Sequence, residues 1–190
     1  MNDIMFTQQQ AQLDTLSKGA TIEQVLEFFD SLESVPIASM IGSWRGSGIK
    51  TGHPLDGMLE SFNWYGKRFR STEEVDPLVF TKKDGTLFAI NPAMLPIGMV
   101  NNPPGIASTS AASLLFKMGS TVLQTKEPAA RLRMTEYRGV LSATMIYDRL
   151  PINDVFRMVT PDVVIGAMDI RGNDQPFMFI LKRDLNTPVN

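Results

Sequence analysis

The fold this sequence predicts is an antiparallel β-barrel of about eight to ten strands, led by two helices and carrying one short internal helix. It is mainly β, and α+β by content. Three observations predict it. The last third of the chain is a run of short alternating segments at 121–126, 131–138, 140–147, 155–160, 163–169 and 177–183. They are joined by Arg138-Gly139, Asp148-Arg149-Leu150-Pro151, Pro161-Asp162 and Arg171-Gly172-Asn173-Asp174, which are too short for the crossover helices of a parallel sheet. A meander of that length removes its edges by closing. Finally, 190 residues with 43% apolar and 20% charged side chains suffice for one globular domain with a sizeable core. The expected organisation is a helical lid or plug over 1–38 and a single barrel domain over 39–190, made of an early part at 39–100 and C-terminal strands at 120–185.

Asp3 is placed to cap a first helix running to about Lys18, with Gly19 ending it. Thr21-Ile22-Glu23-Gln24 reads as a capping box. Val25, Leu26, Phe28, Phe29 and Leu32 then give a second helix an apolar stripe, and Pro36 lies beyond its end. From Ile41 to Lys50 small or apolar residues alternate with polar ones, as in a strand, and glycines at 42, 46 and 48 suit a bend or a close approach. Thr51 to Gly57 is turn-rich, Met58 to Asn63 reads as a short helix, and Trp64 to Arg70 as a strand. Val79–Thr81 and Thr86–Ile90 flank Asp84-Gly85, a hairpin signal. Asn91 to Gly105, with four prolines, reads as a long loop, and Ser108 to Met118 as the internal helix.

Composition excludes much chemistry. Lys plus Arg is 18 against 20 Asp plus Glu, a net charge of −2, so nothing favours nucleic acid as a partner. Cysteine is absent and histidine occurs once, at His53, so thiolate chemistry and a multi-histidine metal cage are ruled out within one chain. No Gly-x-Gly-x-x-Gly opens a helix after a strand, so no nucleotide cofactor is expected. No stretch reaches the roughly 20 continuous apolar residues of a membrane span, and Met1 to Gln10 is too polar for a secretory signal. The expectation is a cytoplasmic protein with no membrane insertion, for which a homodimer is open.

Candidate ligand contacts come from the strand faces. Leu141, Ala143, Met145 and Tyr147 share one face, and Phe177, Phe179 and Leu181 share another. Met134, Met145, Met158, Met168 and Met178 place one methionine on each of five successive strands, either to line an adaptable cavity or to fill a core. His53 is the one side chain suited to proton transfer near neutrality. Asp148, Asp154 and Asp169 cluster at strand ends, with Arg138, Arg149, Arg157 and Lys67 placed to oppose them.

Gly42-Ser43-Trp44-Arg45-Gly46 resembles the signature of the GXWXG family. The likeness continues through Thr51-Gly52-His53, Trp64 to Phe69, Tyr137-Arg138-Gly139, Tyr147 to Arg157 and Gly166 to Asp169, the later blocks resembling the family's companion domain of unknown function. It spans about residues 35 to 185. More loosely the chain is similar to lipocalin-like and fatty-acid-binding-like barrels, which implies that Trp44 plugs the closed end. Gly42, Trp44, Gly46 and Gly48 also match the opening of the nitrobindins, which are ferric-haem barrels. Their haem histidine lies near the C-terminus, and no histidine follows His53 here, so haem is not expected.

The reading that follows is a barrel binding a small hydrophobic molecule of the fatty-acid or aromatic-carboxylate class. Its lining candidates are Trp64, Phe69, Met145, Phe156, Met158, Met168, Phe177 and Phe179, with His53, Lys67, Arg138 and Tyr147 as polar contacts. Two alternatives stand beside it. One is a cofactor-independent isomerase, hydratase or decarboxylase using His53 with Asp148 or Asp169. The other is a filled barrel that binds a protein partner.

Overall fold

In the computed structural model of the chain, which describes residues 2–94 and 123–189, two helices lead into the sheet. They are α1 (Asn2–Leu16) and α2 (Ile22–Ser31). Asp3 lies inside the first turn of α1 rather than at its cap. Gly19 follows at φ +132°. The capping box of α2 is present: Gln24 N–H donates to Thr21 Oγ1 at 3.4 Å and Thr21 N–H to Gln24 Oε1 at 3.0 Å. Next come β1 (Glu33–Ser34), α3 (Ile37–Met40), β2 (Gly42–Gly48), α4 (Met58–Ser61), β3 (Trp64–Phe69), β4 (Val75–Thr81) and β5 (Leu87–Ile90). After a 3₁₀ turn at Pro92–Met94 the described chain resumes with β6 (Gln124–Thr125), β7 (Ala130–Tyr137), β8 (Val140–Tyr147), β9 (Ile152–Thr160), β10 (Val163–Ile170) and β11 (Phe177–Arg183). Most of the expected 91–105 loop, the 108–118 helix and the start of the 121–126 strand lie outside the described residues.

All the described strands belong to one antiparallel sheet. Eight close a ring in the order β3-β2-β11-β10-β9-β8-β7-β4, with β4 returning to β3. The β4–β7 seam is narrow, with Val75 opposite Ala130, and beyond it β4 pairs with β5, which pairs in turn with β6. Trp44 is fully buried in the interior core, and its indole N–H donates to the Met40 carbonyl at 2.8 Å. Gly46 is required by close approach: a Cβ there would collide with the Trp64 ring. Gly66 has φ +142°, and a Cβ on it would strike the Trp44 carbonyl.

The wall from β9 to β11 is apolar on both faces. Phe156, Phe177, Phe179 and Leu181 point into the barrel. Val155, Val159, Ile165, Ala167, Met178 and Ile180 point out and are covered by Leu13, Val25, Phe28, Phe29 and Leu32. The N-terminal helices therefore pack on the outer wall, where the sequence suggested a lid or plug. An outward row of such residues is an apolar patch that needs covering, and burying Phe28 and Phe29 there contributes about 1.5–3 kcal/mol each. The methionines divide the same way: Met145, Met158 and Met168 pack inside, Met178 outside, and Met134 is exposed.

Strand β4 starts at Val75, four residues before the expected Val79. The reason is a bulge. Gly66 pairs with Val79 and Arg68 with Asp76, so Pro77 and Leu78 together oppose Lys67. A proline inside a strand demotes it on sequence grounds, yet a bulge tolerates the missing N–H. Among the described residues no helix is long and apolar enough to cross a membrane.

Candidate functional site

The interior charged pair lies beside this irregular pairing. On β3 the Lys67 side chain turns inward and is 3% exposed; Asp154 on β9 reaches it from across the barrel and is 1% exposed. Lys67 Nζ lies 2.7 Å from Asp154 Oδ2 and donates to the Pro77 carbonyl at 3.1 Å. Three rings surround the ammonium, with centroids at 5.0 Å (Phe179), 5.8 Å (Trp64) and 5.9 Å (Tyr147). Ring faces attract a cation, most strongly where water is excluded.

Asp154 is less well provided for. Both its oxygens are buried with no hydrogen-bond partner among the described residues; Oδ2 has the Lys67 ammonium beside it, and Oδ1 has no such cation. Leaving a buried acceptor unsatisfied costs about 1–3 kcal/mol, more when it is charged. Burial pushes the Asp154 carboxyl up, and Lys67 opposes that by favouring the charged form. Burial, with the Asp154 charge beside it, also holds the Tyr147 phenol well above its usual range, so Tyr147 stays neutral.

These groups open on an apolar chamber of about 80 Å³, walled by Trp64, Leu78, Ile152, Met168, Phe177 and Phe179 with Lys67, Tyr147 and Asp154 among them. Pro92, Tyr147 and Leu150 also border a cleft of about 390 Å³ that contains Asn91, Thr125, Glu127 and Arg149. The cleft lies where β4 leaves β7 for β5, so the split in the sheet sits beside the chamber.

Of the residues singled out from sequence, Trp64, Lys67, Tyr147, Met168, Phe177 and Phe179 line the chamber. Phe69, Met145 and Phe156 are fully buried in the interior core, and Met158 packs against it. Arg138 lies elsewhere. It sits at the β7–β8 turn at φ +51° and donates twice to Asp30 of α2, at 2.7 Å each. His53 is 3% exposed and stands behind the chamber, its ring 5.6 Å from that of Phe177. Its Nδ1 accepts from Leu55 N–H at 3.1 Å, and Nε2 lies 3.5 Å from the Asn173 amide nitrogen. Burial holds His53 below the usual histidine range, with Asp56 opposing. Asp56 Oδ2 also accepts the N–H groups of Thr51, Gly52 and His53 at 2.9–3.0 Å, which fixes the loop.

Among the described residues neither Asp148 nor Asp169 is a partner of His53. Asp148 is 39% exposed, 3.9 Å from Arg131. Asp169 follows the chamber residue Met168 and so faces the other side of β10, where its charge acts on Tyr137. The carboxylate that enters the chamber is Asp154. Its signal was present: Asp154, Phe156 and Met158 share a face, and a carboxylate in register with a core phenylalanine points inward.

Comparison with known proteins agrees with this organisation. The chain matches the GXWXG protein family over residues 27–85 and a domain of unknown function (DUF4334) over 128–183. It is similar to the crystal structure of a protein from Thermomonospora curvata, with 32% identity, covering 93% of this chain and 97% of that one at a TM-score of 0.68. No curated protein matches it.

Proposed function

We propose, for a chain that belongs to the GXWXG family and carries its companion domain of unknown function, that the barrel binds one small hydrophobic molecule in the chamber beside Lys67 and Asp154. The observation that carries this reading is an apolar chamber of about 80 Å³ holding a buried, partly unsatisfied charged pair. A merely filled core gains little from such a pair, because hydrophobic residues of similar volume are often as stable or more so. A pocket with apolar walls and a few convergent polar groups is the usual form of a small-molecule site. The chamber suits a compact apolar group, with any longer part of the molecule directed past Tyr147 and Leu150 to the cleft.

Native mass spectrometry of the purified protein, followed by denaturing extraction, tests the reading. The expected result is a small apolar molecule, or uptake of added small aromatic compounds that perturbs Trp64 fluorescence. Met168→Trp, which fills the chamber, abolishes that uptake while the far-ultraviolet spectrum is kept. A protein that carries nothing and takes up no small apolar compound sinks it.

A further inference from the structure

Resting on that reading, we infer that the molecule is recognised through a neutral hydrogen-bond donor, an aromatic or compact aliphatic hydroxyl, that donates to Asp154 Oδ1, and not through a carboxylate head at Lys67. The charge arrangement argues for it. Lys67 is the cation among the chamber walls, and its partners are already in place: Asp154 Oδ2 at 2.7 Å, the Pro77 carbonyl at 3.1 Å, and three ring faces. The pair is neutral as a unit. A second carboxylate there gives two anions for one cation in surroundings of low dielectric, where like charges strongly disfavour joint ionisation. Among the described residues of the chamber wall, the buried side-chain atoms without a hydrogen-bond partner are the two oxygens of Asp154, and Oδ1, unlike Oδ2, has no cation against it either. An ionised carboxylate only accepts, so what completes it is a donor. A hydroxyl supplies one proton to Oδ1, adds no charge, and leaves its carbon skeleton for Phe177, Phe179, Met168 and Leu78. A site built to meet a hydroxyl in this way rejects the isostere that lacks it.

The test uses three probes of like ring size at neutral pH on the whole protein: phenol, fluorobenzene and benzoate. Binding is followed by calorimetry and by Trp64 fluorescence. Phenol is expected to bind about ten- to a hundred-fold tighter than either of the others. Asp154→Leu strands Lys67, so the companion variant is Lys67→Met with Asp154→Leu, which keeps a neutral interior. In that double variant phenol and fluorobenzene are expected to bind within about two- to three-fold of each other, a gap under half of 1.4 kcal/mol. Equal binding of phenol and fluorobenzene to the unaltered protein overturns this inference and leaves the ligand-binding reading standing. Tighter binding of benzoate also overturns it, in favour of a carboxylate head. Failure of all three probes to bind counts against the binding reading itself, and the hydroxyl falls with it.

Discussion

Two cations are buried on opposite faces of the barrel wall, and they are held by different means. Lys67 is inside, beside a chamber, neutralised by a carboxylate that keeps one oxygen unpartnered. Arg157 is outside, fully buried beneath α2, and among the described residues it forms no ion pair. Its Nη2 donates to the Tyr137 carbonyl at 2.7 Å and Nη1 to the Phe156 carbonyl at 3.3 Å, its guanidinium stands 4.7 Å from the Phe29 ring centroid, and its Nε is buried without a hydrogen-bond partner among the described residues. Strand β9 supplies both Asp154 and Arg157, three residues apart and so on opposite faces. The outer cation ties a helix to a strand through carbonyls and a ring. The inner one is held in a pair beside open space. The two differ in whether the charge faces space or a packed helix, and the proposed binding role rests on that difference rather than on burial alone.

Substitutions break or sharpen this contrast. The largest effect is expected from Asp154→Leu, which leaves Lys67 buried and unpaired and costs about 3–5 kcal/mol. Adding Lys67→Met to the same chain restores most of it, measured by denaturant unfolding. A double variant no more stable than the single one would mean that the two side chains do not act as a pair.

Arg157→Met is expected to cost less, about 1–3 kcal/mol, because it removes hydrogen bonds to carbonyls without stranding an opposite charge. Its signature is regional: amides of α2 exchange faster while those of β8 and β9 stay protected. Uniform loss of protection would place Arg157 in the barrel's global stability rather than at the helix seam.

His53 offers a pH test of the inner side. Its folded-state pKa is lowered by burial, so below about pH 6.5 the unfolded chain binds more protons than the folded one. Stability contributed by His53 is therefore present above that pH and is lost as pH falls through the folded value. Asp154, whose pKa is raised, works in the opposite sense and is common to both proteins compared. The unfolding midpoint of the unaltered protein should fall between pH 7.5 and 5.5 more steeply than that of His53→Gln. Parallel pH profiles would show that His53 titrates normally and is open to water.

The smallest effect belongs to Asp30→Asn, which unpairs Arg138. The side chains are 37% and 38% exposed, so the loss should stay within about 1 kcal/mol and shrink with added salt.

How much of this was readable in advance follows the range over which each signal acts. The capping box at Thr21 and Gln24, the hairpin at Asp84-Gly85 and the strands at 140–147 and 177–183 were legible by themselves, because capping, turn chemistry and alternation are settled within a few residues. So were the antiparallel order and its closure, since the connections admit little else. Alternation also put Phe177 and Phe179 on one face and Asp154 with Phe156 on another. Which face points inward was decided only by the tertiary structure, because a period of two gives the same pattern whichever face is buried, and β9 to β11 are apolar on both. The same holds for the irregular pairing of β3 with β4 on either side of Gly66, the meeting of Lys67 with Asp154 at a separation of 87 residues, and the seating of α1 and α2 on the outer wall. Each depends on which distant strand becomes a neighbour, and that is set by closure of the ring rather than by any local stretch of chain.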